Sequence, residues 1–307
     1  MANLRKQLEA HLSDHGFSQE GVAKALGITG AVLSGWRRGT YKGDNGRIDA
    51  LVEAYLSRAA SIAKKSEGVY KDFDFVETSV YDKIVKGIEL AEIRGSIRVV
   101  TGDSGVGKTT ALKRLKEQNE SMILLQAYPG IRKNRVLAKL AKEAGFSLRG
   151  SFDDLFEELT ERLEGSGRLI AVDEAEHLPI EAVDAIRRLN DFTGCPVVLV
   201  GLPVFYDMLR GHQHDYAYVY NRISIPIRSE RLLKEDVARM VATILRSDVD
   251  AEVWLSACGG IGRDLREVVL ESIRVAGVNG ITPDDTEKFL KVIRRVTKEL
   301  SRTANMR

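Results

Sequence analysis

Between residues 97 and 227 the chain alternates short apolar runs with stretches of helical period. The runs IRVVT (97–101), MILLQA (122–127), RLIAVDE (168–174), PVVLVG (196–201) and RISIPI (222–227) have the length and β-branched content of strands. Segments such as KTTALKRLKEQ and NRVLAKLAKEAG lie between them and repeat their apolar positions every three or four residues. Short apolar strands separated by helices predict an α/β fold whose five-stranded parallel sheet is covered on both faces.

The flanks follow other patterns. Upstream, SQEGVAKALGITGAVLSGWRRG predicts two short helices about a tight turn at Gly27, with Val22, Ala23 and Leu26 on one apolar face and Val32, Leu33 and Trp36 on the other. A small residue at Ala23 lets the helices approach, and Gly27 takes a left-handed turn at little cost. This is helix-turn-helix spacing. A further helix follows, with Ile48, Leu51, Val52, Tyr55 and Leu56 as its stripe, and then KKSEGVYKDFDF shows no periodicity. After residue 228 every pattern is helical. Thr282-Pro283-Asp284-Asp285 announces a last helix carrying Phe289, Ile293, Val296 and Leu300. The predicted organisation is a helix-turn-helix domain (1–62), a linker (63–75), an α/β core (76–228) and a helical lid (229–307).

Composition bounds this picture without changing it. A chain of 307 residues, 44% hydrophobic and 29% charged, suits a soluble protein of two or three domains. No apolar run approaches the ~20 residues of a membrane span, and the N-terminus lacks the apolar stretch of a secretory signal. Cys195 and Cys258 are too few and too far apart for a disulfide framework, so buried thiols and a cytoplasmic location are expected. Net charge is +2, but residues 1–65 carry +4 and residues 286–307 carry +5, which puts the basic charge at the two ends. Such ends read first as solvated faces.

The chemistry begins in VVTGDSGVGKTT (99–110). From Gly102 to Thr109 it fits the phosphate-binding template G-x-x-x-x-G-K-[ST] at every fixed position, between a predicted strand and a predicted helix. Backbone N–H groups of Gly102, Asp103, Ser104, Gly105, Val106 and Gly107 are expected to turn toward a triphosphate, helped by the helix N-terminus at Lys108, Thr109 and Thr110. Lys108 is expected on the β- and γ-phosphates and the Thr109 hydroxyl on Mg²⁺. In LIAVDEAEHL (169–178) a buried strand ends in Asp173, a second Mg²⁺ residue acting through water, and Glu174, which would orient the attacking water. Arg222, before the last strand, and Arg263, in GGIGRDL, are candidate cations for the charge of phosphoryl transfer; a surface ion pair is the plainer reading of each. ATP and Mg²⁺ are the expected ligands.

For the helix-turn-helix, the start of the second helix nominates Thr29, Gly30, Ala31 and Ser34 for base edges, and Arg37, Arg38 and Lys42 for phosphates. The base-facing candidates are small and offer no bidentate reader, which predicts weak sequence preference on double-stranded DNA. Packing or a partner contact is the alternative use of the motif. Arg132 and Lys133, with Arg135, form a second basic cluster that reads equally well as a solvated helix start. Lys291, Arg294, Arg295 and Lys298 give the last helix a basic face for which DNA and a protein partner are equally open.

Taken together, the P-loop, DEAEHL, the arginine of YNRISI and the lid arginine of GGIGRDL resemble an AAA+ ATPase. The helix-turn-helix, YKGDN (41–45) and FVET (75–78) make the resemblance closest to the MuB-like target-DNA activators of transposases. That resemblance implies that Arg222 is a finger reaching a neighbouring subunit's nucleotide and that Arg263 is a sensor of the lid. It also implies ATP-dependent helical filaments on duplex DNA, disassembled by hydrolysis, with a transposase as the recipient of the DNA and the stimulator of hydrolysis. Leu202 departs from the family pattern: relatives usually have a polar residue there, so nucleotide binding is the firmer expectation and hydrolysis is expected to be slow or to use another group. An ATP-switched transcriptional regulator and a helicase loader are the competing readings.

Overall fold

In a computed structural model the described residues are 2–15, 19–67, 73–211, 217, 223, 225–245 and 249–304, with side chains described except at 2–3, 10, 13–15, 59–67 and 303–304. The chain divides into two compact units, Met1–Lys71 and Asp72–Arg307.

The first unit contains α1 (Ala2–His15), α2 (Gln19–Ala25), α3 (Gly30–Arg38) and α4 (Asn45–Glu67). Its core is Leu8, Val22, Ala23, Leu26, Leu33, Trp36, Ile48 and Val52, which includes most of the predicted apolar positions. Gly27 has φ of +68° and turns the chain from α2 toward α3. Thr29 caps α3 by accepting from the Val32 N–H, so its hydroxyl is engaged within the helix. YKGDN makes the next corner. Tyr41 N–H donates to Gly35, Asp44 accepts from Arg47 N–H at the start of α4, and Asn45 donates to the Tyr41 carbonyl. Trp36 Nε1 donates to Asp49 Oδ1 at 2.8 Å, fixing α4 against α3.

The second unit opens with α5 (Ser79–Arg94), then β1 (Ile97–Gly102), α6 (Lys108–Gln118), β2 (Ile123–Gln126), α7 (Lys133–Glu143), α8 (Phe152–Leu163), β3 (Ile170–Asp173), α9 (Ile180–Thr193), β4 (Val197–Gly201), α10 (Pro203–Gly211) and β5 (Ile227–Ser229). Helices α11 (Lys234–Ala242), α12 (Ala251–Cys258), α13 (Gly262–Val278) and α14 (Thr286–Ala304) complete it. The strands form one parallel sheet in the order β2-β3-β4-β1-β5.

Alternation along the strands sorts their side chains between two cores. Ile97, Val99, Ile123, Leu125, Ile170, Val172, Val197 and Leu199 pack on the side of α7, α8 and α9. Val100, Ala171, Val198 and Val200 pack on the side of α5, α6 and the C-terminal helices. Both faces are therefore covered, as the apolar runs predicted. Helix α5 lies so close to the sheet that a Cβ added at Gly87 would stand 2.7 Å from Val100 Cγ2. Both cysteines are buried free thiols.

The last strand differs from expectation. RISIPI (222–227) predicts six residues of strand; Arg222 and Ser224 lie outside the described residues, and among those described the strand is β5, Ile227 to Ser229. Ile223 makes an isolated parallel bridge to Ile97, Ile225 is 84% exposed, and Pro226, just before β5, has no N–H to extend the ladder. At the C-terminus, Asp285 caps α14 through the Lys288 N–H, and Phe289, Ile293 and Val296 are buried as predicted, with Leu300 packed beside them. No helix among the described residues is long and apolar enough to cross a membrane.

Candidate functional site

A cavity of about 680 Å³ opens at the carboxyl ends of β1 and β3. In an open parallel sheet that is where ligands bind. The loop from Ser104 to Gly107 and the first turn of α6, Lys108 to Ala111, line it. Gly105 has φ of +79°, and a Cβ there would meet Ile261 Cγ2 at 2.9 Å, so the loop is both left-handed and pressed against the segment that starts α13. Arg263 N–H donates to the Gly105 carbonyl at 3.0 Å, and the Arg263 side chain lines the cavity.

Lys108 Nζ donates to the carbonyls of Gly102 and Asp103, both at 2.7 Å. Burial lowers its pKa, against the pull of the carboxylates of Glu176, Asp173, Asp103 and Glu174. Thr109 Oγ1 donates to Asp173 Oδ2 at 2.7 Å, and Asp173 Oδ1 accepts from the Glu174 N–H at 2.9 Å. Burial raises the Asp173 pKa, with these two hydrogen bonds opposing it and the Glu174 charge adding to it. A hydroxyl and a carboxylate in contact form an oxygen donor set of the kind a hard divalent cation takes. The pair fits Mg²⁺.

Glu174 is the non-glycine residue with positive φ among those described, at +54°, a conformation that costs energy and concentrates at functional sites. Its Oε1 accepts from Gln126 Nε2 at 3.2 Å, across from the end of β2. Glu176 and His177 also line the cavity, as does Leu202, whose N–H donates to Glu176 Oε2 at 3.0 Å. A carboxylate thus stands beside the position where Leu202 supplies no polar side chain.

Sequence reasoning missed several parts of this site. Asp103 is paired with Arg231, whose Nε lies 2.9 Å from Asp103 Oδ2 and whose Nη1 donates to the Gly259 carbonyl. Arg266 joins Arg263 in the lining. Phe73 to Val76, Thr78 and Tyr81 form a further wall with Leu232 and Met240. FVET therefore lies in the cavity, where Phe75 packs edge-on to Tyr81 with ring centroids 5.5 Å apart. The proximity of FVET to the motif in sequence was the available signal; Leu232 and Met240 gave none. Arg222 lies outside the described residues.

Of the nucleic-acid candidates, Thr29, Ala31, Arg38 and Lys42 are exposed, while Gly30 and Ser34 are half-buried. Arg37 is committed within the unit. It donates to Gln19 Oε1 at 2.6 Å and lies 3.4 Å from Glu9, holding α1, α2 and α3 together. Arg37, expected at phosphates, has Gln19 and Glu9 as its partners within the unit. Arg132 and Lys133 are exposed at the start of α7, with Lys133 Nζ 4.6 Å from the centre of the Phe152 ring.

A model of the AAA domain matches residues 93–209. The Mu-like prophage FluMu DNA transposition protein B of Haemophilus influenzae is 29% identical over 272 residues, 86% of this chain and 93% of that protein. The ATP-dependent target DNA activator B of Escherichia phage Mu is 27% identical over 241 residues, 77% of this chain and 76% of its own. Among solved structures, the Aeropyrum pernix ORC2 protein is similar in fold, with a TM-score of 0.53 and 15% identity over 75% of this chain and 72% of that one. Cdc6p from Pyrobaculum aerophilum has a TM-score of 0.51 at 16% identity, over 66% and 62% of the two chains. The chain therefore has the AAA-type P-loop NTPase fold and, over most of its length, is similar to the MuB target-DNA activators.

Proposed function

We propose that the protein is an ATP-dependent, weakly sequence-selective DNA-binding ATPase that assembles on target DNA, delivers it to a DNA transposase and activates that enzyme. The observation that carries this reading is the extent of the similarity. A match over 86% of the chain is longer than Asp72–Arg307, so it takes in part of the helix-turn-helix unit as well as the nucleotide fold. A shared nucleotide fold alone does not imply a shared partner.

In this reading the loop from Gly102 to Gly107 cradles the phosphates with its backbone N–H groups. Lys108 exchanges two carbonyl partners for phosphate oxygens, whose negative charge favours its protonated form against the burial that lowers its pKa. Thr109 and Asp173 hold Mg²⁺, which neutralises phosphate charge when bound. Glu174 orients and deprotonates water, and Gln126 restrains its carboxylate until it does. Arg263 reaches the phosphates from α13, whose start is pinned to Gly105. Arg222 of a neighbouring subunit supplies a further cation, so that ATP joins subunits and hydrolysis releases them. On DNA, Arg38 and Lys42 contact phosphates and Ala31 lies toward the bases. Arg132 and Lys133 extend the basic track.

The test is binding of the full chain to a random-sequence duplex with ATP·Mg²⁺, with ADP and without nucleotide, followed by gel shift and electron microscopy. Long assemblies in the ATP arm alone support the reading. Each of Arg38→Ala and Lys42→Ala is expected to reduce the log–log salt slope by about 0.9. Tight, nucleotide-independent binding to one site that random DNA does not compete away overturns the proposal in favour of an ATP-switched regulator.

A further inference from the structure

The cavity has one polar end, built by the P-loop and the acidic strand end. Its other lining is largely apolar: Phe75, Val76, Tyr81, Leu232 and Met240. A nucleotide is polar at its phosphates and flat and apolar at its base, so the second lining suits the base and sugar. That lining comes from two stretches far apart in the chain, the segment that leads into α5 and the start of α11, and one buried side chain joins them. The fastener is Asp236.

Asp236 is 1% exposed. Its Oδ1 accepts from the Ser79 N–H at 3.0 Å and from Arg239 Nη2 at 2.8 Å. Its Oδ2 accepts from Ser79 Oγ at 2.6 Å and from the Leu233 N–H at 3.0 Å. One carboxylate thus satisfies an amide at the start of α5 and an amide at the start of α11, elements 157 positions apart at the point of contact. Burial alone would raise its pKa, but the hydrogen bonds from Ser79, Leu233 and Arg239 outweigh it and hold the carboxyl below its ordinary range. The segments it joins are the cavity wall. Thr78, which caps α5, immediately precedes Ser79; Tyr81 lies two residues after it. Leu232 precedes the Leu233 amide, and Met240 lies one helical turn beyond Asp236 on the same face of α11.

We propose that Asp236 is a positioning residue for the nucleotide, clasping residues 75–81 to Leu232 and Met240 so that the base and sugar find a formed slot. It touches no ligand itself. The inference rests on the nucleotide reading above and adds to it a residue outside every motif. It makes a specific demand: loss of the clasp weakens ATP but spares a ligand that has phosphates and no base.

The experiment titrates a fluorescent ATP analogue into the full chain with Mg²⁺ and displaces it with ATP or with inorganic tripolyphosphate. Asp236→Asn keeps size and removes charge; in the Oδ1 position its NH₂ faces the Ser79 N–H and Arg239, and in the Oδ2 position it faces the Leu233 N–H, so either orientation leaves at least one donor unpaired. ATP affinity is expected to fall about tenfold or more, the scale of leaving buried donors unpaired. Ser79→Ala deletes one hydroxyl donor and leaves the charged carboxylate with three partners, so ATP affinity is expected to fall about threefold. Tripolyphosphate affinity stays within about twofold in both, because the P-loop is untouched. If D236N does not fold, S79A decides. Wild-type affinity for ATP in the variants, or equal losses for ATP and tripolyphosphate, overturns the positioning role while the nucleotide reading stands. Failure of the wild-type chain to bind ATP overturns both.

Discussion

The phosphate wall of the cavity, Ser104 to Ala111, comes from one uninterrupted stretch, whereas the wall suited to the base is gathered from residues 73–81 and from Leu232 and Met240. The first is held by backbone: a left-handed glycine, carbonyls that position Lys108, and a helix N-terminus on a central strand. The two halves of the second are joined by one buried carboxylate, which accepts from two backbone amides and two side chains. A backbone-built site can be deformed only by changing the turn, while a side-chain clasp can be released by a single substitution. In the proposed reading, the contrast separates where the nucleotide is gripped from where it is fitted.

Single substitutions put that contrast to the test. The largest effect belongs to neither wall but to the strand end beside them: Glu174→Gln is expected to lower turnover by about 10²–10⁴ while ATP stays bound and the DNA assemblies persist. Rapid disassembly of the variant would remove Glu174 as the residue that orients water. Next, Lys108→Ala is expected to weaken ATP and tripolyphosphate together, each by about 30-fold or more, since a charged partner is lost from both. A loss confined to ATP would erase the distinction between the walls. The smallest effect is on stability. The Asp236 carboxyl has a lowered folded-state pKa, so its contribution is fully present above the unfolded carboxylate pKa of about 3.9 and is lost as pH falls through the folded value. The gap in melting temperature between wild type and D236N is therefore expected to hold from neutral pH to about pH 5 and to narrow below it. A gap that widens on acidification would show that the carboxylate is not the stabilised form.

The same contrast explains what was legible in the sequence. Contiguous features were readable because spacing encodes them: the P-loop, the acids after β3, the alternating apolar strands and the helix-turn-helix turn at Gly27. Glu174 was readable as an acid but not as a left-handed residue, since nothing in DEAEHL marks its backbone. YKGDN stood out as a segment, yet its work is to turn the chain and cap α4. Arg37 was nominated by charge, but its contacts with Gln19 and Glu9 were not readable, since only folding brings those residues near. Arg231, Asp236 and Met240 had no signal at all. Their partners lie far away in the chain, and the helical period of their region reports only which face is buried. The late start of β5 had a mark in the sequence, Pro226, which the β-branched content of RISIPI does not report.

Gly87 never touches the cavity, yet it sets a dimension of it. Helix α5 carries Tyr81 and begins at Ser79, and β1 leads into the P-loop; the missing methyl at Gly87 is what lets the helix rest on Val100 of that strand. The separation between the two gripping surfaces is thus gauged from beneath, like the spacing of vice jaws set by a shim. An alanine there would leave every lining residue unchanged in identity and still alter the gap between them. The width of the cavity is thus tied to a helix–sheet contact at a residue that does not line it.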